Sequence, residues 1–200
     1  YFVFEQVYDA AGVPIEGLYV DRNGDGIVNP DDMYRYKKAA PDATFGFYTG
    51  VNLGNFDLSL GARAMVGNYV YNNNLASQGV YDFVYNSSGG GDGYLNNVDS
   101  QTEALDINTP RYFSDHYVQD GSFLRIDHIT AGYDFGNIGS AISSFRLSIT
   151  AQNPLLITGY DGIDPEIASR DVTTNSVGFG IDNNIYPRSR TFLLGLNVKF

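Results

Sequence analysis

The chain has 200 residues with 12 basic against 23 acidic side chains, a net charge of -11, which excludes a nucleic-acid binder held by phosphate attraction. Nineteen of the acids are Asp, and 23 Gly, 16 Tyr and 13 Phe complete a balance that disfavours long helices and suits strands between tight turns. The absence of cysteine removes any disulfide framework, thiolate zinc site or thiol nucleophile, and no run of about 18 apolar residues offers a membrane helix, so a membrane role would need a β-barrel.

Apolar residues alternate with period two, and in chain order this predicts six strands. Residues 1–8 (YFVFEQVY) read as the first. After them Asp21-Arg22-Asn23-Gly24-Asp25-Gly26 opens a twelve-residue loop with oxygen ligands at positions one, three and five, glycine at six and Asp32 at twelve. A hard cation needs several oxygens at about 2.4 Å, so Asp21, Asn23, Asp25, the Ile27 carbonyl and Asp32 are the candidate ligands for Ca2+ or Mg2+. The same spacing also suits an Asx-turn loop without metal. Asp at position twelve reaches less far than Glu, and no helix pattern precedes Asp21, so a paired EF-hand is not expected.

Residues 45–53 and 56–66 predict a hairpin around Gly54-Asn55. Phe45, Phe47, Val51 and Leu53 share a face, and Phe56, Leu58, Leu60, Ala62, Ala64 and Val66 alternate with Asp57, Ser59, Gly61, Arg63 and Met65. The glycines of 89–93 lack a following Lys-Ser/Thr and read as a loop, not a phosphate cradle. His116 and His128 lack any HExxH or cysteine context, so neither is assigned chemistry. Residues 122–135 and 145–152 give two further strands joined by 136–144. Asp161, Asp164 and Glu166 read as solvated loop acids beside Pro165 rather than an acid/base pair. The last strand, 189–200, sets Phe192, Leu194, Leu196, Val198 and Phe200 against Gly195, Asn197 and Lys199.

The connections 9–43, 70–120 and 154–188 are long and the others short. Loops beyond about 15 residues are uncommon in compact soluble domains, whereas outer-membrane barrels combine short periplasmic turns with long extracellular loops. The expected fold is therefore all-β: one stretch over 1–200 of antiparallel transmembrane β-barrel, with those three loops extracellular. Phe56, Tyr133, Phe135, Phe145 and Phe200 would form an inner aromatic girdle, and Tyr69, Tyr71 and Tyr117 an outer one. Six strands cannot close a barrel, so the edges 1–8 and 189–200 should pair with further chain.

The segments 21–26 (DRNGDG), 122–126 (SFLRI), Asn153-Pro154, 159–166 (GYDGIDPE), 186–188 (YPR) and 192–200 (FLLGLNVKF) together resemble, in order and spacing, the C-terminal end of the SusC/RagA family of TonB-dependent outer-membrane transporters. The resemblance implies a 22-stranded barrel of which this chain supplies the last six strands. It also implies an N-terminal plug contacted by the TonB complex, a SusD-like lipoprotein lid, a glycan or peptide substrate, no enzymatic activity, and the Gram-negative outer membrane of a Bacteroidota-like cell. Gly195, Val198 and Phe200 resemble the terminal signal read by the barrel-insertion machinery, with Leu193 where a polar residue is usual. The competing reading is a secreted calcium-stabilised β-domain acting as an adhesin or binding module; a requirement for detergent separates the two.

Overall fold

The computed structural model describes residues 1–85, 96–170, 177–183 and 185–200. In chain order the first strands are β1 (Phe2–Val3), β2 (Gln6–Tyr8), β3 (Pro14–Tyr19), β4 (Tyr34–Arg35), β5 (Ala43–Leu53), β6 (Phe56–Val66) and β7 (Tyr69–Asn72). Three short helices, α1 (Asn73–Gln78), α2 (Tyr81–Tyr85) and α3 (Thr102–Leu105), precede β8 (Val118–Asp120), β9 (Phe123–Ile138), β10 (Ile142–Thr158), β11 (Ala168–Arg170), β12 (Val177–Phe179), β13 (Ile181–Asp182) and β14 (Thr191–Lys199). The chain divides into two compact units.

One unit, Pro41–Gly67 with Gly121–Gly159 and Pro187–Phe200, is a five-stranded antiparallel sheet in the order β14-β10-β9-β6-β5. Its hairpin β5–β6 turns at Gly54-Asn55, where Gly54 takes φ +60°, the demand of a two-residue turn with glycine first. Register carries the alternation across all five strands. Phe47, Ala62, Leu60, Ile129, Ile149 and Leu194 fall on one face, and Gly61, Ser59, Thr130, Thr150 and Gly195 on the other. The apolar face is bare, with Phe47 60%, Leu53 68%, Phe192 73% and Leu194 74% exposed. In water such a face would be covered, so its exposure identifies the side meant for lipid.

Two irregularities keep this pattern in step. Gly61 pairs with His128 and Ala62 with Ile126, so Asp127 is one extra residue of β9 against β6. Likewise Gln152 pairs with His128 and Leu155 with Ile126, which inserts one extra residue in β10 at Asn153-Pro154, with Asn153 at φ +49°. Each is a bulge that restores the facing of the residues beyond it.

The other unit, Tyr1–Ala40 with Asn68–Asp120 and Tyr160–Tyr186, has its own core of Val3, Leu75, Ala76, Val80, Leu105, Ile107 and Tyr117. The connections expected as loops therefore fold together.

Three expectations need correction. The five-stranded sheet has no place for residues 1–8, which split between β1, paired with β4, and β2, paired with β3. Gln6, 8% exposed, ties β2 to its neighbour, its Nε2 donating to the carbonyls of Ile15 and Leu18 in β3. The free edges of the sheet are thus β5 and β14. Tyr71 and Tyr117, 8% and 1% exposed, are core residues and not an aromatic girdle. The third connection starts after Thr158 and not at Pro154, because the bulge lets β10 continue through the proline.

Candidate functional site

The polar face of the sheet carries side chains that satisfy one another. Arg146 of β10 donates from Nη2 to Asp57 Oδ2 at 2.6 Å and from Nε to Oδ1 at 3.1 Å. The pair lies over Gly132 of the intervening strand β9, where a Cβ would collide with both partners. Arg63 faces Asp127 at 3.3 Å, Thr130 and Thr150 share a hydroxyl hydrogen bond of 2.8 Å, and the His128 ring lies over Gly61 within 6.0 Å of the Tyr48 ring. Such a face suits the wall of a hydrated lumen. At the short-turn end of the apolar face Tyr133, Phe135 and Phe145 pack ring to ring at 4.8 and 5.4 Å, the aromatic cluster expected there.

In the terminal strand Gly195 pairs with Ser148, whose hydroxyl lies over the glycine, and Val198 pairs with Phe145 on the apolar face. Phe200 follows the strand, 92% exposed.

The loop from Asp21 to Asp32 is curled, with Gly24 and Gly26 at φ +75° and +85°. Asp21 accepts from the backbone N–H of Gly24 and Gly26, both at 2.7 Å, Asn23 Oδ1 from Asp25 N–H, and Asp25 Oδ1 from Ile27 N–H. Asp32, 1% exposed, accepts from Arg22 and Asn23 on one oxygen and from Asn29 on the other. The Asn29 N–H above all holds the Asp32 carboxyl below its ordinary pKa against the opposing effect of burial, with Asn23, Arg22 and the Asp21 side chain adding to it. Donor type and curl fit a hard cation. Even so, among the described residues no three His, Cys, Asp or Glu side chains are gathered closely enough to hold a metal by themselves.

Two further carboxylates act as anchors. Glu16 accepts from the N–H and Nδ2 of Asn108, the N–H and hydroxyl of Thr109, and Nη2 of Arg111. Asp182, fully buried, accepts from the Tyr160 hydroxyl at 2.7 Å and Asn74 Nδ2 at 3.1 Å. Both join segments remote in sequence, which no local motif encodes. His116, whose Nδ1 lies 3.1 Å from the Tyr8 hydroxyl, is held below its ordinary pKa by burial, with Asp115 opposing. Asp164, 4% exposed, is buried and not the solvated acid expected, whereas Asp161 is exposed, so these acids do not form a desolvated pair. The glycines of 89–93 lie outside the described residues.

No family model matches the chain. It is 39% identical over 211 residues to the TonB-dependent receptor SusC of Bacteroides thetaiotaomicron, an alignment covering all of the chain and 19% of the receptor. The chain belongs with the SusC-like TonB-dependent receptors. A second relative, the TonB-dependent receptor P3 of Formosa agariphila, is 30% identical over 197 residues, covering 92% of the chain and again 19% of the relative. The fold of this SusC-like chain is similar to part of the RagAB peptide importer in its closed-closed state, with a TM-score of 0.66 at 23% identity over the whole chain and 23% of that structure. A further RagAB peptide transporter structure gives 0.68 at 24% identity, covering the whole chain and 22% of its own. The chain thus spans 19% of the length of the curated relatives it matches. Among the described residues no helix is long and apolar enough to cross a membrane.

Proposed function

We propose that the chain supplies barrel wall and surface loops to a TonB-dependent importer of glycans or peptides in a Gram-negative, Bacteroidota-like outer membrane. The observation that carries this reading is the five-stranded sheet, one face bare and apolar, the other self-paired and polar, with both edges free. An open edge in lipid leaves backbone groups unsatisfied at several kcal/mol each, so β5 and β14 pair with strands of the remaining barrel. A plug in that barrel contacts the TonB complex, and a SusD-like lipoprotein covers the surface loops. The bare apolar face also weighs against a secreted adhesin or binding module. Uptake of labelled oligosaccharides and peptides by cells with and without the receptor, and with TonB disabled, tests the reading; uptake indifferent to both changes would sink it.

Two local roles accompany it. Gly195, Val198 and Phe200 act as the terminal assembly signal: the glycine leaves room for Ser148, and Val198 and Phe200 offer apolar surface. Asp21, Asn23, Asp25, the Ile27 carbonyl and Asp32 take Ca2+ or Mg2+ in an extracellular loop, a small inward movement of the carboxylates completing the set. Replacing Asp21 and Asp25 together by Ala should abolish calcium binding measured by calorimetry and lower the calcium-dependent melting shift to zero. Equal calcium stabilisation of both proteins would count against the site.

A further inference from the structure

Within the unit that contains α1, a cleft of about 360 Å³ opens between α1, the segment 97–99 and the turn at Asp161, within the size range of small-ligand sites. Among the described residues its polar lining is Asn72, Asn74, Gln78, Asn97, Asp99 and Asp161, four carboxamides and two carboxylates, with no cationic side chain.

The walls are fixed by contacts within the unit. Asn72 caps α1 by accepting from Leu75 N–H at 2.9 Å, and Asn74 holds α1 to the buried Asp182. The same Asp182 accepts from Tyr160, whose hydroxyl stays protonated because burial, then Asp182 itself, drive its pKa up. Asp161 N–H donates to Gln119 Oε1, and Gly162 folds over the Tyr160 ring where a Cβ would collide. Asp99 braces the third wall by accepting from Gln101 N–H with Oδ1 and donating its own N–H to the Gln78 carbonyl. Each anchoring side chain spends one polar atom on the wall. Among the described residues the side chains of Gln78, Asn97 and Asp161 make no hydrogen bond at all.

We propose that this cleft binds one or two rings of a neutral oligosaccharide. Vicinal hydroxyls each donate and accept, and planar carboxamides and carboxylates present the matching pairs side by side. Phosphate or carboxylate ligands would meet Asp99 and Asp161 without a counter-charge. Among the described residues, apolar side chains would find only Val98 and Ile163. Because the walls are braced beforehand, little ordering cost opposes binding. The proposal deepens the importer reading and rests on it for the passage of the bound sugar onward, though not for binding itself.

The test uses the full-length receptor with its lipoprotein, purified in detergent, on an array of neutral oligosaccharides followed by calorimetry with the best binder, and a neutral hexapeptide as comparison. Asn97→Ala and Asp161→Ala should each weaken the oligosaccharide by about tenfold or more, while heat-modifiable barrel mobility stays unchanged. Asp161→Asn should retain most of the affinity, since an amide still serves hydroxyls; loss equal to that of Asp161→Ala would indicate a cationic ligand and overturn the proposal. So would an array without binders, binding unaffected by the Ala variants, or hexapeptide binding that they abolish. TonB-dependent uptake is scored separately. Uptake with unaffected binding leaves the importer reading and removes the cleft; cleft-dependent binding without TonB-dependent uptake does the reverse.

Discussion

Asp57 and Arg146 meet across a strand to which neither belongs, and glycine at position 132 is what permits it. The pair is partly exposed, so solvent screening limits its worth. Gly132→Ala should therefore destabilise through the pair: unfolding midpoints in guanidinium for Gly132→Ala, Asp57→Ala and the double variant should be clearly non-additive. Additive losses would mean that Gly132 matters for another reason. Glu16 allows a prediction of opposite location. Burial would raise its pKa, but the donors of Asn108 and Thr109 outweigh it and bring the carboxyl from 4.5 down to about 2. A depressed carboxyl contributes stability that is complete above the unfolded value and lost as pH falls through the folded one. Hydrogen exchange at the Asn108 and Thr109 amides should hence accelerate between about pH 4.5 and pH 2 beyond the intrinsic trend, and Glu16→Gln should blunt that change. Unaltered protection across the window would remove Glu16 as the clasp.

At the scale of elements, β9 owes its two clean faces to the bulge at Asp127. Deleting Asp127 would turn Phe123 and Arg125 to the apolar side and Leu124 and Ile126 to the polar side, since side chains repeat every two residues. Folded, heat-modifiable protein in the outer membrane should fall sharply for this deletion, whereas Asp127→Ala loses only the Arg63 contact and should assemble. Equal assembly would show that the bulge does not set the facing. The bulge also marks the limit of what the sequence discloses. Alternation along 45–66, 145–152 and 192–200 was legible because one face meets a single apolar environment along its whole length. The Asp127-His128 doublet between Ile126 and Ile129 was a readable sign of the slip, one that strict alternation passes over. Residues 1–8 alternate too, yet they serve two partners in another unit, and pairing is decided by distant segments. For the same reason Asp182, with Asn74 and Tyr160 as partners, lay beyond any local pattern, whereas the oxygen spacing from Asp21 to Asp32 was plain.

For the whole molecule, the two units face different demands. The unit containing α1 buries a core of its own, whereas the sheet exposes its apolar face and two strand edges. Residues 1–200 expressed alone in detergent should therefore associate through β5 and β14, seen as polydisperse species in light scattering. A monodisperse monomer with cooperative melting would contradict the need for neighbouring strands. The glycine beneath the Asp57 and Arg146 side chains has one more effect during assembly. A ladder can slide by two residues with every side chain keeping its face, so the polar and apolar pattern alone does not choose between such alignments. If β9 slid by two, Thr130 or Asp134 would stand where Gly132 stands, filling the groove that the arginine must cross. The sheet thus carries a gauge, a notch one missing methyl wide, that accepts a single alignment of three strands and refuses its nearest neighbours.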